Sequence, residues 1–220
     1  MGHCHDEHCN CHSGHCHDEN CHCHDASDVG GSSRQEEYST PMVNGAVDIE
    51  TIAAMAQKGI AAAQYDLGVC YNYGLGIDEN PALAAQWFFK AAQQADGDAQ
   101  FALGRLYLEG RGVPQTDDAA RKWFEVAAQH GHPAAQNQMG YFYLNGTGGV
   151  KKNPVLAMQW WLEAAQNGFP EAMFNLALWY AKGESFEPDE TSALEWMQKA
   201  ADVGFKPAID FLNKLGVARQ

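Results

Sequence analysis

The sequence predicts an all-α fold: a solenoid of four helix-turn-helix units with a lone capping helix at each end and a disordered N-terminal tail. Three observations carry this. A motif recurs four times, at spacings of 36, 36 and 37 residues. Small, aromatic and glycine positions keep register in every copy. Before Ala46 the aliphatic content is Val29, Val43 and little else, too little for a core. Self-similarity at a fixed period marks architectures in which no unit can bury its apolar face alone.

Residues 1–25 form a Cys/His-rich tail with six of the seven cysteines and eight of the ten histidines. They contain a duplication offset by twelve positions, Gly2 to His12 repeating as Gly14 to His24. Only two positions differ, and they look exchanged: His8 and Asn10 in the first copy, Asn20 and His22 in the second. Each copy therefore keeps three cysteines and four histidines: His3, Cys4, His5, His8, Cys9, Cys11 and His12, then His15, Cys16, His17, Cys21, His22, Cys23 and His24. Thiolate and imidazole together suit zinc or copper(I), and the histidines leave nickel or copper(II) open. Six clustered thiols in a reducing cytosol read as metal ligands or redox groups, not disulfides. No apolar residues surround them to build a zinc finger. Residues 26–47, with Gly30-Gly31-Ser32-Ser33 and Glu36-Glu37, read as a flexible linker.

From Asp48 the chain can bury a core. Residues 48–58 read as a lone helix followed by Gly59. Units follow at about 61–96, 97–132, 133–169 and 170–205. In the first, helix A is expected from Ala62 to Tyr73, and Gly74 permits a left-handed end. Helix B opens near Pro81 and presents Leu83, Trp87 and Ala91 on one face. Gly110, Gly146 and Gly183 repeat Gly74; Trp123, Trp160 and Trp196 repeat Trp87; Tyr71, Tyr107, Tyr143 and Tyr180 keep register. These rings recur at helical spacing and are expected in the core. An extra glycine in Gly146-Thr147-Gly148-Gly149 explains the longer third period. Gly68, Gly104, Gly140 and Ala177 have no rationale in helix propensity, so their expected role is steric, letting helices approach closely. Cys70 matches Leu106, Phe142 and Trp179 and reads as a small core hydrophobe. Residues 207–215 read as a last lone helix, opened by Pro207 and stopped at Gly216. Such end helices cover faces that a repeat would otherwise expose.

These residues resemble the Sel-1-like repeat (SLR) family, relatives of tetratricopeptide repeats with a slightly longer period. Its alanine start, Leu-Gly, Tyr, Gly-x-Gly-Val, Ala-x-x-Trp and Ala-Ala stand in the second unit from Ala99 through Gly110-Arg111-Gly112-Val113 to Trp123 and Ala127-Ala128. The resemblance covers about residues 48–215 and implies a right-handed α-solenoid that binds protein or peptide partners. Unit four departs from it, with Ala177 for glycine and Gly183-Glu184-Ser185-Phe186 for Gly-x-Gly-Val. Some secreted members staple each repeat with disulfides, which the single Cys70 does not support. By likeness to tetratricopeptide repeats, the concave groove falls on Tyr65, Val69, Asn72 and Tyr73, and on Phe101, Arg105, Leu108 and Glu109. It continues on Asn137, Tyr141, Leu144 and Asn145, and on Phe174, Leu178, Ala181 and Lys182. Arg105 is the one arginine among them, and the residue that would pair with the ligand if that is an acidic peptide.

The net charge of −14 is split evenly between residues 1–47 and the rest. Nucleic acid and anionic membranes are poor partners for such a chain. There is no membrane-length apolar run and no apolar leader, so a cytoplasmic location is expected. No Gly-x-Ser-x-Gly elbow, phosphate loop or His-Glu-x-x-His appears, and no catalytic constellation is evident. His130 and His132, flanking Gly131, read as a solvated turn. The expected function is a protein-interaction adaptor with a zinc- or copper(I)-binding tail; the alternatives are a plain scaffold whose tail stores or detoxifies metal, and an enzyme with no visible signature. The oligomeric state stays open.

Overall fold

In the computed structural model, which describes residues 42–43, 46–183 and 187–216, ten helices follow one another. The lone helix α1 spans Ile49–Gln57. Four A/B pairs follow: α2 Ala61–Tyr73 with α3 Pro81–Ala92, α4 Gly97–Glu109 with α5 Asp117–Gln129, α6 Pro133–Asn145 with α7 Pro154–Gln166, and α8 Pro170–Lys182 with α9 Glu190–Asp202. The closing helix α10 spans Lys206–Lys214. Each packs chiefly on its neighbours in the chain, as nearest-neighbour stacking requires. A short antiparallel ladder precedes them, β1 Met42–Val43 with β2 Ala46–Val47, within the stretch expected to be linker. The intervening dipeptide Asn44-Gly45 is a strong hairpin signal, and hydrophobicity alone passes over it.

Helix ends follow from their residues. Gly74, Gly110, Gly146 and Gly183 each stop an A helix in the left-handed region, at φ of 64° to 70°. B helices are followed by Gly59, Gly131, Gly168 and Gly204 at φ of 80° to 92°, but in the first unit Ala95 takes the same turn at 61°. Asp48, Asn80, Asp96, Asn153 and Asp189 cap helix starts by accepting a backbone N–H three residues on.

The small residue in each A helix sits under a large one in its own B helix. A Cβ on Gly68 would stand 2.6 Å from the Phe88 ring, and one on Gly104 would stand 2.7 Å from Phe124. Gly140 meets Trp161 still more closely. These glycines therefore set the helix spacing, as their lack of a propensity rationale suggests. The tryptophans themselves depart from expectation. Phe88, Phe124, Trp161 and Met197 are the buried ones, one position later, while Trp87, Trp123, Trp160 and Trp196 are half-buried. One residue is a 100° turn of the helix, so the later residue faces the glycine and the tryptophan flanks the core. Trp123 thus meets Phe89 of the preceding B helix edge-on at 5.9 Å, and Lys90 and Lys199 lie over Trp87 and Trp196. The registered tyrosines are half-buried in the same way. Cys70 is buried, and burial, then the Asp66 charge, pushes its thiol pKa up.

Three unit junctions carry a buried glutamine. Gln64, Gln100 and Gln136 donate from Nε2 to the carbonyls of Ala56, Ala92 and Ala128 at 3.1, 3.2 and 3.3 Å. Their Oε1 atoms accept from Gln94 Nε2 at 2.8 Å and Asn167 Nδ2 at 2.9 Å, and Gln100 Oε1 lies 3.4 Å from His130 Nδ1. The fourth junction has Met173 instead. The A-to-B loops also dock backwards. A Cβ on Gly112 would collide with the Pro81 carbonyl, and Arg111 Nη2 donates to the Asn72 carbonyl and to Glu79 Oε1, both at 2.6 Å.

Candidate functional site

Helix A residues four and seven apart share a face, and on α2 and α4 that face forms a concavity of about 110 Å³. Seven of the expected groove residues line it: Tyr65, Val69, Asn72, Tyr73, Phe101, Arg105 and Glu109. Asp98, unforeseen, lines it too. Leu108 instead packs half-buried on the cluster around Phe124 and Phe142.

The electrostatics differ from expectation. Arg105 is not a free cation: Nε and Nη2 both donate to Glu109 Oε1, at 3.2 and 2.8 Å. That hydrogen bond, followed by the Glu109 and Tyr73 charges, pushes the guanidinium pKa up against the opposing effect of burial. Helical spacing of i, i+4 makes the pair legible in hindsight. Arg111 also reaches this face, 5.6 Å from the Tyr73 ring centre. Asn72 is only 6% exposed, and its Oδ1 has no hydrogen-bond partner.

On α6 the groove residues belong to a closed network. Asn137, 1% exposed, accepts at Oδ1 from Asn175 Nδ2 at 3.0 Å and donates to Glu171 Oε2 at 3.5 Å. Its carbonyl accepts from Trp161 Nε1 at 3.3 Å. Asn137 is thus a packed structural residue and not a groove contact, because the facing helix supplies Asn175 and Glu171. The exposed Tyr141 hydroxyl joins the same network through Asn175. Leu144 is half-buried and Asn145 is exposed. On α8, Phe174 packs against Phe205 at 5.6 Å, and Lys182 is exposed. Leu178 and Ala181 line a second, apolar depression of about 470 Å³ with Met197, Leu194, Phe211 and Leu215.

The turn histidines are not simply solvated. His132 caps α6, accepting from Ala135 N at Nδ1 at 3.2 Å while Nε2 lies 3.3 Å from Asp98 Oδ1, and its ring stacks on Phe101 at 4.7 Å. His130 is exposed apart from its contact with Gln100. The fourteen expected metal ligands, His3 to His24, lie outside the described residues, as does the 184–186 stretch of the unit-four loop. Among the described residues no three His, Cys, Asp or Glu side chains gather where they could hold a metal ion, and no helix is long and apolar enough to cross a membrane.

The Sel1 repeat family model matches residues 61–96, 97–132, 133–169 and 170–205. A Sel1 repeat protein from Oxalobacter formigenes is 35% identical, with a TM-score of 0.71 over 78% of this chain and 69% of that one. A protective antigen of uropathogenic Escherichia coli strains that displays an SLR fold is 32% identical, with a TM-score of 0.71 over 77% of this chain but only 37% of its own. An immunity protein from Pseudomonas aeruginosa, 21% identical with a TM-score of 0.53 over 74% of this chain and 60% of that one, shares the fold. No curated protein matches in sequence. The all-α solenoid expected from the repeats is the fold found.

Proposed function

The chain belongs to the Sel1 repeat family, and from that premise we propose that it is a protein-interaction adaptor whose solenoid holds a peptide and whose N-terminal tail binds zinc or copper(I). The observation that carries the solenoid half is the α2–α4 concavity, where equivalent positions of two repeats converge on one lined pocket. The tail half rests on the duplication, which alters two positions of eleven and still keeps three cysteines and four histidines per copy. A tail without a metal role has no reason to hold that count. The reading assigns no catalytic step to either half and places the chain in the cytoplasm, where thiols stay reduced.

Titration of the reduced full chain with zinc and with copper(I) tests the tail. At least two ions should bind per chain, one for each copy of the motif. Binding should weaken below about pH 6.5, since imidazoles must be neutral and thiols deprotonated to ligate. Replacing Cys4, Cys9 and Cys11 by serine should remove about half the capacity if the copies act alone, and all of it if they share one cluster. Near-zero uptake in both titrations sinks the metal half. The plain-scaffold alternative is separated by partner binding: an adaptor that delivers metal binds its partner differently with and without the ion, and a storage tail does not.

A further inference from the structure

We propose that the apolar depression at the C-terminal end of the solenoid is a dimer interface, in which Leu215 of each copy seats in the depression of the other about a two-fold axis. The repeats themselves show what such a depression takes. On α1, α3 and α5 the equivalent hollow receives an aliphatic side chain from the A-to-B loop of the following unit. Ile77 packs on the cluster of Ile52 and Ala56, Val113 on Ala84 and Phe88, and Val150 on Ala120 and Phe124. On α9 the matching residues are Ala193 and Met197, which line the depression of about 470 Å³. No described residue stands where a further loop would, because α10 is a lone helix ending at Lys214. The hollow on α9 therefore lacks the aliphatic side chain that its counterparts receive.

The same end of a second copy supplies it. Leu215 is 58% exposed and Phe211 40%, both at the depression, and Leu194 of α9 is exposed beside them. A capping helix needs a polar outer face, and α1 meets that need, since none of the exposed large hydrophobics lies on it. The C-terminal end instead carries a knob and a hole together. A surface bearing both is self-complementary, which is the condition for a closed two-fold pair. Charge fits the same partner. α10 carries Lys206 and Lys214 against Asp210, a net +1, whereas α9 carries Glu190, Glu195 and Asp202 against Lys199, a net −2. α10 of one copy therefore suits α9 of the other. Glu190 lines the depression and Lys214 adjoins Leu215; both are exposed, and neither has an ion pair among the described residues. Seating Leu215 brings Lys214 toward Glu190 of the second copy, twice in each dimer.

Sedimentation velocity of the full chain tests this, with thiols reduced and metal chelated so that the cysteines cannot link copies. A reversible, concentration-dependent equilibrium between monomer and dimer is expected. Leu215→Glu should raise the dissociation constant at least about tenfold with the helical circular dichroism signal unchanged, since the side chain is exposed. Lys214→Glu and Glu190→Lys should each weaken the dimer, and the two together should restore it, which a merely destabilised α9 or α10 would not do. A monomer at every concentration overturns the proposal. So does a dimer indifferent to Leu215→Glu, or a double charge variant no tighter than the single ones. A full chain that stays monomeric and dimerises only after removal of residues 217–220 assigns the depression to the chain's own end, and overturns the proposal as well.

Discussion

The junctions into α2, α4 and α6 are each clamped by a buried glutamine, whereas the junction into α8 carries Met173 in its place. Other differences follow the same divide. Glycine under a large ring becomes Ala177 under Met197, and Tyr141 and Trp161 of unit three become Leu178 and Met197. Smaller fillers leave the apolar depression of about 470 Å³ bounded by α10. The first three units are held by directional bonds and tight ring-on-glycine contacts. The last is held by softer, less specific packing, which tolerates volume changes better.

The largest test of that contrast is one substitution made twice. Gly104→Leu drives a side chain into Phe124 and should cost upward of about 3 kcal/mol, at or beyond the usual overpacking range. Ala177 is buried too, but it lines the apolar depression beside the flexible Met197, so Ala177→Leu should cost less, about 1–2 kcal/mol. Equal losses in urea unfolding would erase the distinction. Next is the clamp. Gln100→Met should cost about 1 kcal/mol, no more, because the Ala92 carbonyl keeps its bond from Ala95 N. Conversely, Met173→Gln alone should do little, since the residue in the Oε1-partner position is Val203. Paired with Val203→Asn it should gain about 0.5–1.5 kcal/mol, and the excess over the single changes is the coupling to measure.

A smaller effect lies at Ala95, the one non-glycine in a turn that is glycine everywhere else. Ala95→Gly should stabilise by up to about 1 kcal/mol, the left-handed strain less the added freedom of the unfolded chain. Gly131→Ala should do the reverse, and both are read from shifts in the denaturation midpoint. The smallest effect concerns acid. Side-chain hydrogen bonds from Thr51 and Ser192, then their backbone N–H groups, hold the Asp48 and Asp189 carboxyls below the usual range. A depressed folded pKa gives stability that is present above the unfolded value, near 4. That stability is lost as pH falls through the folded value. Asp48→Asn with Asp189→Asn should flatten the acid side of the pH dependence of the midpoint, below about pH 5; an unchanged slope would remove these caps from the acid response.

Helix order and the role of Gly68, Gly104 and Gly140 were legible because they repeat, and repetition separates a structural demand from chance. Repetition also misled. It placed Asn137 on the groove stripe with Tyr65, Phe101 and Phe174, but its burial is decided by Asn175 and Glu171 on the facing helix, which no single stripe reveals. It drew attention to tryptophan because tryptophan is conspicuous, while the true core position varies as Phe, Phe, Trp and Met and hides in the sequence. Arg105 was visible, but the direction in which its side chain turns is a rotamer choice made by Glu109. Asn72 was on the stripe, and only the surrounding atoms show that its Oδ1 is unpartnered.

Each glutamine bond spans eight residues of chain across a unit boundary, from the end of one repeat to the start of the next. Both halves therefore survive any cut and rejoining made at the same boundary in two repeats. Unequal crossing-over between the gene segments for residues 61–96 and 97–132 would yield a shorter or longer array with every clamp intact. The same exchange at the start of unit four would copy Met173 into the interior and leave a joint without its bond. Repeat number in lineages sharing this design should accordingly drift upstream of residue 170, with the final unit kept as a single copy.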